Sequence, residues 1–173
     1  MTVIALIGDV HGNLPALEAV LRHAAEHGAE AVWNAGDLVG YGPFPEQVVR
    51  RLQKDSVINI QGNYDRKVLQ VPEKAEKWSR TKDPEKWFAF RWAYDRLTPE
   101  SRAFLAGLPV EQRIALEGWS ILLVHGSPAS QDEHLYPDTP EERLQELVDL
   151  ARADVIVCGH SHQAFQRSVS GTL

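Results

Sequence analysis

Five short polar stretches of this 173-residue chain hold the residue types that bind metal ions or move protons. They are Gly8-Asp9-Val10-His11-Gly12-Asn13, Gly36-Asp37, Gly62-Asn63-Tyr64-Asp65, His125-Gly126-Ser127-Pro128 and Gly159-His160-Ser161-His162. Together they offer Asp9, His11, Asp37, Asn63, His125, His160 and His162 as donors. Imidazole nitrogen mixed with carboxylate oxygen suits Zn, Fe or Mn, and the set lacks the thiolates of a closed structural zinc site. The donors outnumber what one tetrahedral ion accepts. Two ions sharing a carboxylate would use them all. A glycine beside nearly every donor allows tight turns and close backbone approach.

Each stretch follows a short apolar run that must position it. Val3 to Ile7 is rich in β-branched residues and reads as a buried parallel strand. Leu14, Leu17, Val20, Leu21 and Ala24 recur at helical steps up to His27-Gly28, where glycine suits a helix end. Ala31 to Asn34 predicts a second strand, Pro45 opens a helix, and Ser56 to Ile60 predicts a third strand. This alternation predicts βαβ units and a parallel sheet, whose ligand sites lie at the carboxyl ends of the strands. Val110 to Leu116 and Trp119 to Val124 flank Glu117-Gly118 as a hairpin. Pro140 to Ala151 predicts a helix, Asp154 to Cys158 a buried strand, and Ala164 to Val169 a further strand. Residues 67–106 break the rhythm with aromatic residues set among charges, and read as a helical insertion. Nothing splits the chain, so residues 1–173 form one expected domain.

The ordered set Gly8-Asp9-Val10-His11, Gly36-Asp37, Gly62-Asn63-Tyr64-Asp65, His125 and Gly159-His160-Ser161-His162 resembles the calcineurin-like metallophosphoesterases. Gly36 to Pro43 and Gly159 to His162 look closest to the small bacterial and archaeal YfcE-type phosphodiesterase branch. The resemblance implies an α/β fold, a four-layer αββα sandwich with a helical cap insertion at about 67–106. It implies that Asp9, His11 and His162 hold one divalent transition-metal ion, that Asn63, His125 and His160 hold a second, and that Asp37 bridges them. Mn, Fe and Zn all suit these donors, with Mn favoured. The implied function is a dinuclear phosphoesterase, more a phosphodiesterase than a monoesterase, with a metal-bound hydroxide attacking phosphorus in line. The alternative is a non-catalytic binding or scaffold module on the same fold.

The sequence departs from the family pattern in three places. Tyr64 occupies a slot that usually holds histidine, and tyrosine is a poorer proton donor at neutral pH. Gly40 stands where an aspartate is common. The chain stops at Leu173, where relatives usually add more of the second sheet, which implies that the C-terminal part of that sheet is missing. An uncovered edge would invite pairing with another chain, and a homo-oligomer is one way to cover it.

Tyr64, Asp65 and Arg66 are candidates for substrate contact or for orienting a ligand. Asp65 fits the role of a carboxylate that fixes its own turn or a metal ligand. His23, His27 and His134 have no such context and read as surface or cap residues, and Cys158 as a small buried hydrophobe. The formal charge of -6 argues against general nucleic-acid binding. The opening apolar run is too short for a signal peptide and no stretch could span a membrane. With a single cysteine, this predicts a cytoplasmic protein acting on a phosphate-ester substrate.

Overall fold

The structure is a computed structural model that describes residues 1–54 and 57–173. The predicted start of the third strand at Ser56 lies outside the described residues. The first sheet contains β1 (Ile4–Ile7), β2 (Ala31–Asn34) and β3 (Ile58–Asn59), in that order and all parallel. Its crossovers are α1 (Leu14–Glu26) and α2 (Pro45–Lys54). The second sheet holds β4 (Glu111–Leu116), β5 (Trp119–Val124) and β6 (Val155–Val157). β4 and β5 form the predicted hairpin across Glu117 and Gly118, and β6 runs parallel to β5. Along the chain from β3 to β4, α3 (Asn63–Leu69), α4 (Val71–Thr81), α5 (Pro84–Arg96) and α6 (Pro99–Gly107) follow one another, and α7 (Glu141–Ala151) leads into β6.

Alternating side chains sort the molecule into layers. Trp33, Ala35 and Ile60 of the first sheet meet Ile121 and Leu123 of the second in a core between the sheets. The opposite face of the first sheet, including Ile7 and Val32, packs on Leu17 and Leu21 of α1 and on Val48, Val49 and Leu52 of α2. On the far side, Leu122, Val124 and Ile156 pack against Ala151 of α7. The period-two alternation of β5, with odd residues inward and even residues outward, is what lets one strand serve two apolar layers. The arrangement is a helix–sheet–sheet–helix sandwich, as predicted.

Local chemistry sets the helix starts. Asn13 Oδ1 accepts from Ala16 N at 3.2 Å, and Thr98 Oγ1 from Ser101 N at 3.2 Å. Asp83 accepts from the amides of Glu85 and Lys86, and a proline lies in the first turn of each of these helices. The helical stretch begins at Asn63, four residues before the predicted insertion, because the third ligand-bearing loop turns directly into α3.

Two expectations are corrected. β1 is an edge strand, and Leu6 is 53% exposed, so the first strand is only partly buried. Residues 164–169 form no strand beyond an isolated bridge of Val169 to Thr172. The outer edge of β6 is engaged instead by Leu173, through Ile156 N to Leu173 O at 2.7 Å and Leu173 N to Asp154 O at 3.0 Å. Among the described residues, no helix is long and apolar enough to cross a membrane.

Candidate metal centre

The five motifs converge at the carboxyl ends of the strands. Asp9 and His11 follow β1, Asp37 follows β2, Asn63 opens α3, His125 follows β5, and His160 and His162 follow β6. Five of these residues have left-handed backbone: Asp9 (φ 53°), His11 (φ 48°), Asp37 (φ 56°), His160 (φ 70°) and His162 (φ 54°). That conformation costs an L-residue about 1–2 kcal/mol and persists where surrounding bonds impose it. Here Asp9 N donates to Gly36 O at 3.0 Å, and His11 N to Asp37 O at 2.8 Å, stitching the first loop to the second. Strained backbone repeated at the candidate donors marks the loops as built to aim side chains.

Two groups of donors result. Asp9, His11 and His162 each present an atom within 4.8 Å of the others, and so do Asp37, His125 and His160. Asp37 lies between the groups. Its Oδ2 is 3.3 Å from His125 Nε2 and 3.7 Å from His11 Nε2. His162 Nε2 is 3.2 Å from His11 Nε2 and 3.3 Å from Asp9 Oδ1. Asp37 and His125 are fully buried, whereas the His162 side chain is 53% exposed, so the cleft opens on the His162 side.

The ring orientations are set from behind. His125 Nδ1 lies 2.8 Å from Ala35 O, and His11 Nδ1 lies 3.3 Å from Val39 O, which turns both Nε2 atoms toward the cleft. Asp9 Oδ2 accepts from His160 N at 2.9 Å, and Asp37 Oδ1 from Tyr64 N at 2.7 Å, leaving the other oxygen of each carboxylate inward. Asp9 Oδ1, Asn63 Oδ1, His125 Nε2 and His160 Nε2 are buried with no hydrogen-bond partner among the described residues. The 3.3 Å approach of His125 Nε2 to Asp37 Oδ2 is a close charge contact outside hydrogen-bonding geometry. Orphaned buried acceptors and ring nitrogens are costly unless something binds them. All four atoms are of metal-donor type, so the residues present fit divalent cations.

Burial lowers the proton affinity of His11 more than the charge of Asp37 restores it, so its pKa falls below the ordinary value. Burial acts the same way on His125, but its contact with Asp37 outweighs burial and raises the pKa. His160 is lowered by burial and by the neighbouring imidazoles of His125 and His134. Neutral His11 and His160 rings are in the form that can donate a lone pair.

The supporting residues divide into those legible in the sequence and those not. Asp65 is fully buried and accepts from Val39 N at 3.0 Å and Gly62 N at 2.9 Å, so it ties the Asp37 loop to the start of α3. Burial, then the charge of Asp37, pushes its carboxyl up to about 7. Tyr64 stacks edge-on against His11 and Phe90, and its hydroxyl bonds that of Tyr41. Burial and Tyr41 raise its pKa further, which makes it a still weaker acid. The tyrosine also explains Gly40: at φ 143°, a Cβ there would sit 2.7 Å from Tyr64 Cδ1 and 3.0 Å from His11 Nδ1. Arg66 is committed to Gln131 at 3.0 Å and Asp132 at 2.7 Å.

Asp132 carries no motif signal and is missed by sequence reasoning. It accepts from Asn63 Nδ2 at 2.7 Å and from Lys67 Nζ at 3.0 Å, besides Arg66. Partial burial would raise its pKa, but these donors hold it well below the usual carboxylate range. A carboxylate only accepts, so the Asn63 amide must turn its nitrogen to Asp132 and its oxygen inward. His134 is likewise not a bystander, since its ring lies 3.9 Å from that of His160. The charge of Asp132, four residues after Pro128, is a weak clue without the loop's path.

Comparison with known proteins agrees with this geometry. The calcineurin-like phosphoesterase superfamily domain matches residues 1–173. The chain is 29% identical over 174 residues to an uncharacterized protein of Methanocaldococcus jannaschii, covering 99% of this chain and 67% of that protein. It is 27% identical over 175 residues to phosphodiesterase YfcE of Escherichia coli, covering 94% of this chain and 70% of YfcE, in line with the branch the motifs resemble. A hypothetical protein of Pyrococcus horikoshii shares the fold, with a TM-score of 0.87 at 22% identity over 99% of this chain and 74% of that one. The chain belongs to the calcineurin-like phosphoesterase superfamily, whose enzymes are metal-dependent hydrolases of phosphoric esters.

Proposed function

We propose that the chain is a phosphodiesterase that works with two divalent cations, manganese being favoured. Asp9, His11 and His162 hold one cation, Asn63, His125 and His160 hold the other, and Asp37 bridges them. The observation that carries this reading is the set of four buried, inward-facing and unpartnered donor atoms on Asp9, Asn63, His125 and His160. When bound, the cations supply positive charge for the phosphoryl oxygens and an activated water for in-line attack on phosphorus.

The residues of the chain do the rest. Ala35 and Val39 carbonyls keep the His125 and His11 rings aimed. Asp65 and the Tyr64 amide keep Asp37 between the two groups. Preference for diesters with good leaving groups follows from Tyr64, whose raised pKa suits it poorly to protonating an alkoxide. Residues 1–173 act as one domain, with residues 67–106 as a helical cap. The contact of Phe90 with Tyr64 supports this reading, because it ties α5 to the site.

The test is hydrolysis of bis-p-nitrophenyl phosphate by chelator-stripped protein with and without manganese. Manganese-dependent turnover that disappears in Asp37→Ala is the expected result. Folded protein that stays inactive with Mn, Fe and Zn would overturn the enzyme reading and leave the scaffold module.

A further inference from the structure

We propose that His23 and His27, at the far end of α1, form a separate metal site that takes one copper(II)- or nickel(II)-type cation. The proposal is independent of the two-cation reading above. Asn13 caps the start of α1, two residues after His11, and the 13-residue helix carries the chain about 20 Å away from it. His23 lies in the last turn and His27 closes the helix as its C-cap. Four residues apart, they stand one above the other on the same face. Both are exposed. Their rings are stacked, with centroids 4.0 Å apart and planes 22° from parallel.

The backbone orients one of these rings. His27 Nδ1 lies 2.9 Å from His23 O. A carbonyl only accepts, so Nδ1 carries the proton and the neutral ring keeps its lone pair on Nε2. Carbonyls hold the rings of His125 and His11 by the same device. Among the described residues the His23 ring has no hydrogen-bond partner, and neither ring has an ion-pair partner. Each ring therefore keeps a nitrogen for a ligand. The carbonyl end of α1 is the negative end of its dipole, which favours a bound cation.

The donor set selects the ion. Among the described residues, the groups of three or more close donors are the two of the candidate metal centre. No carboxylate or thiol joins His23 and His27 as a third donor, so water completes the coordination. Two imidazoles with water oxygens suit copper(II) or nickel(II), which favour nitrogen donors in tetragonal geometry. Manganese binds such nitrogen donors least tightly in the divalent series. The pair thus differs from the candidate centre in preferred metal as well as in place. Stacked rings must open toward a common ion, and exposed side chains do so by rotating about χ1 and χ2.

The experiment titrates copper(II), buffered with glycine, into the full chelator-stripped chain at about pH 8, where imidazole is neutral. Paramagnetic broadening of backbone amide signals locates the copper. The amides of Arg22, Glu26 and Gly28 should broaden together, and their titration gives the affinity of this site apart from any copper held elsewhere. The proteins are the parent chain, His23→Gln and His27→Gln. Each substitution should weaken copper there about tenfold or more, because one imidazole remains and the chelate is lost. Manganese at the same concentration should leave these three signals sharp. A parent chain in which copper also leaves them sharp overturns the proposal. So does either variant that holds copper within about twofold of the parent, since that result describes a lone imidazole. Manganese broadening as strong as that of copper overturns the assignment of the donors.

Discussion

Removing Asp132 tests whether the Asn63 amide oxygen is a ligand whose orientation is set from outside the centre. Asp132 Oδ1 takes a 2.7 Å bond from Asn63 Nδ2, and the opposite end of that amide, Oδ1, is buried and unpartnered. In Asp132→Ala the amide nitrogen loses this acceptor, and the two flip states of the amide come close in energy. A bond of this charge-assisted kind contributes about 1.5–3 kcal/mol. Losing a partner that orients a metal ligand typically lowers metal affinity about 10–100-fold, or about 1.4–2.8 kcal/mol, which is the same range. The freed Arg66 and Lys67 charges are partly exposed, so screening keeps their repulsion of a cation small. Calorimetric titration of chelator-stripped protein with manganese should show two binding events in the parent. In Asp132→Ala one of them should weaken about 10–100-fold. The other, assigned to Asp9, His11 and His162, should hold within about threefold. Asp132→Asn keeps an acceptor oxygen for Asn63 and should recover most of the loss. Two events unchanged in Asp132→Ala, or two weakened equally, would refute the reasoning.

Manganese loading should stabilise the fold, since the ions bind only the assembled loops. Two ions, each at about 100 times its dissociation constant, contribute about 5 kcal/mol, which for a chain of this size raises the melting temperature by about 10–20 °C. A melting curve unmoved by manganese would contradict the two-site reading, and Asp37→Ala should abolish at least half of the shift. Asp65 predicts a pH dependence of the chelated protein. Its carboxyl is raised from an ordinary 3.8 to about 7, so the folded state binds the proton more tightly than the unfolded state. That contribution is fully present below pH ~3.8 and is lost as pH rises through about 7. Urea midpoints of the parent should therefore fall relative to those of Asp65→Asn between pH 4 and 8, and parallel profiles would count against a raised Asp65.

Much of the layer order is legible in the sequence. The 3.6 period marks α1 and α2, which bury one stripe, and short continuous apolar runs mark β5 and β6, which bury side chains on both faces. The strand predicted at 164–169 failed for a reason outside its own residues: the partner edge on β6 is taken by Leu173. Apolar pattern reports what a segment can pair with, and competition for an edge is a tertiary matter.

The site divides the same way. Asp9, His11, Asp37, Asn63, His125, His160 and His162 are visible in the sequence because metal chemistry restricts the residue type, and strand ends restrict the place. What the chain alone could not determine is how loops from distant segments meet. Asp132 reaches Asn63 across 69 residues, and the His134 ring lies tilted against His160, 3.9 Å between centroids, from a loop without a motif. Asp, Lys and His of this kind are usually solvated, so their types carry no signal until the fold brings them to a partner. The left-handed backbone of five candidate donors is likewise invisible in residue identity, since the bonds that impose it, such as His11 N to Asp37 O, join separate loops. The sequence by itself determined which atoms were available to hold cations. Tertiary structure decided which of them face one another and which are held from behind.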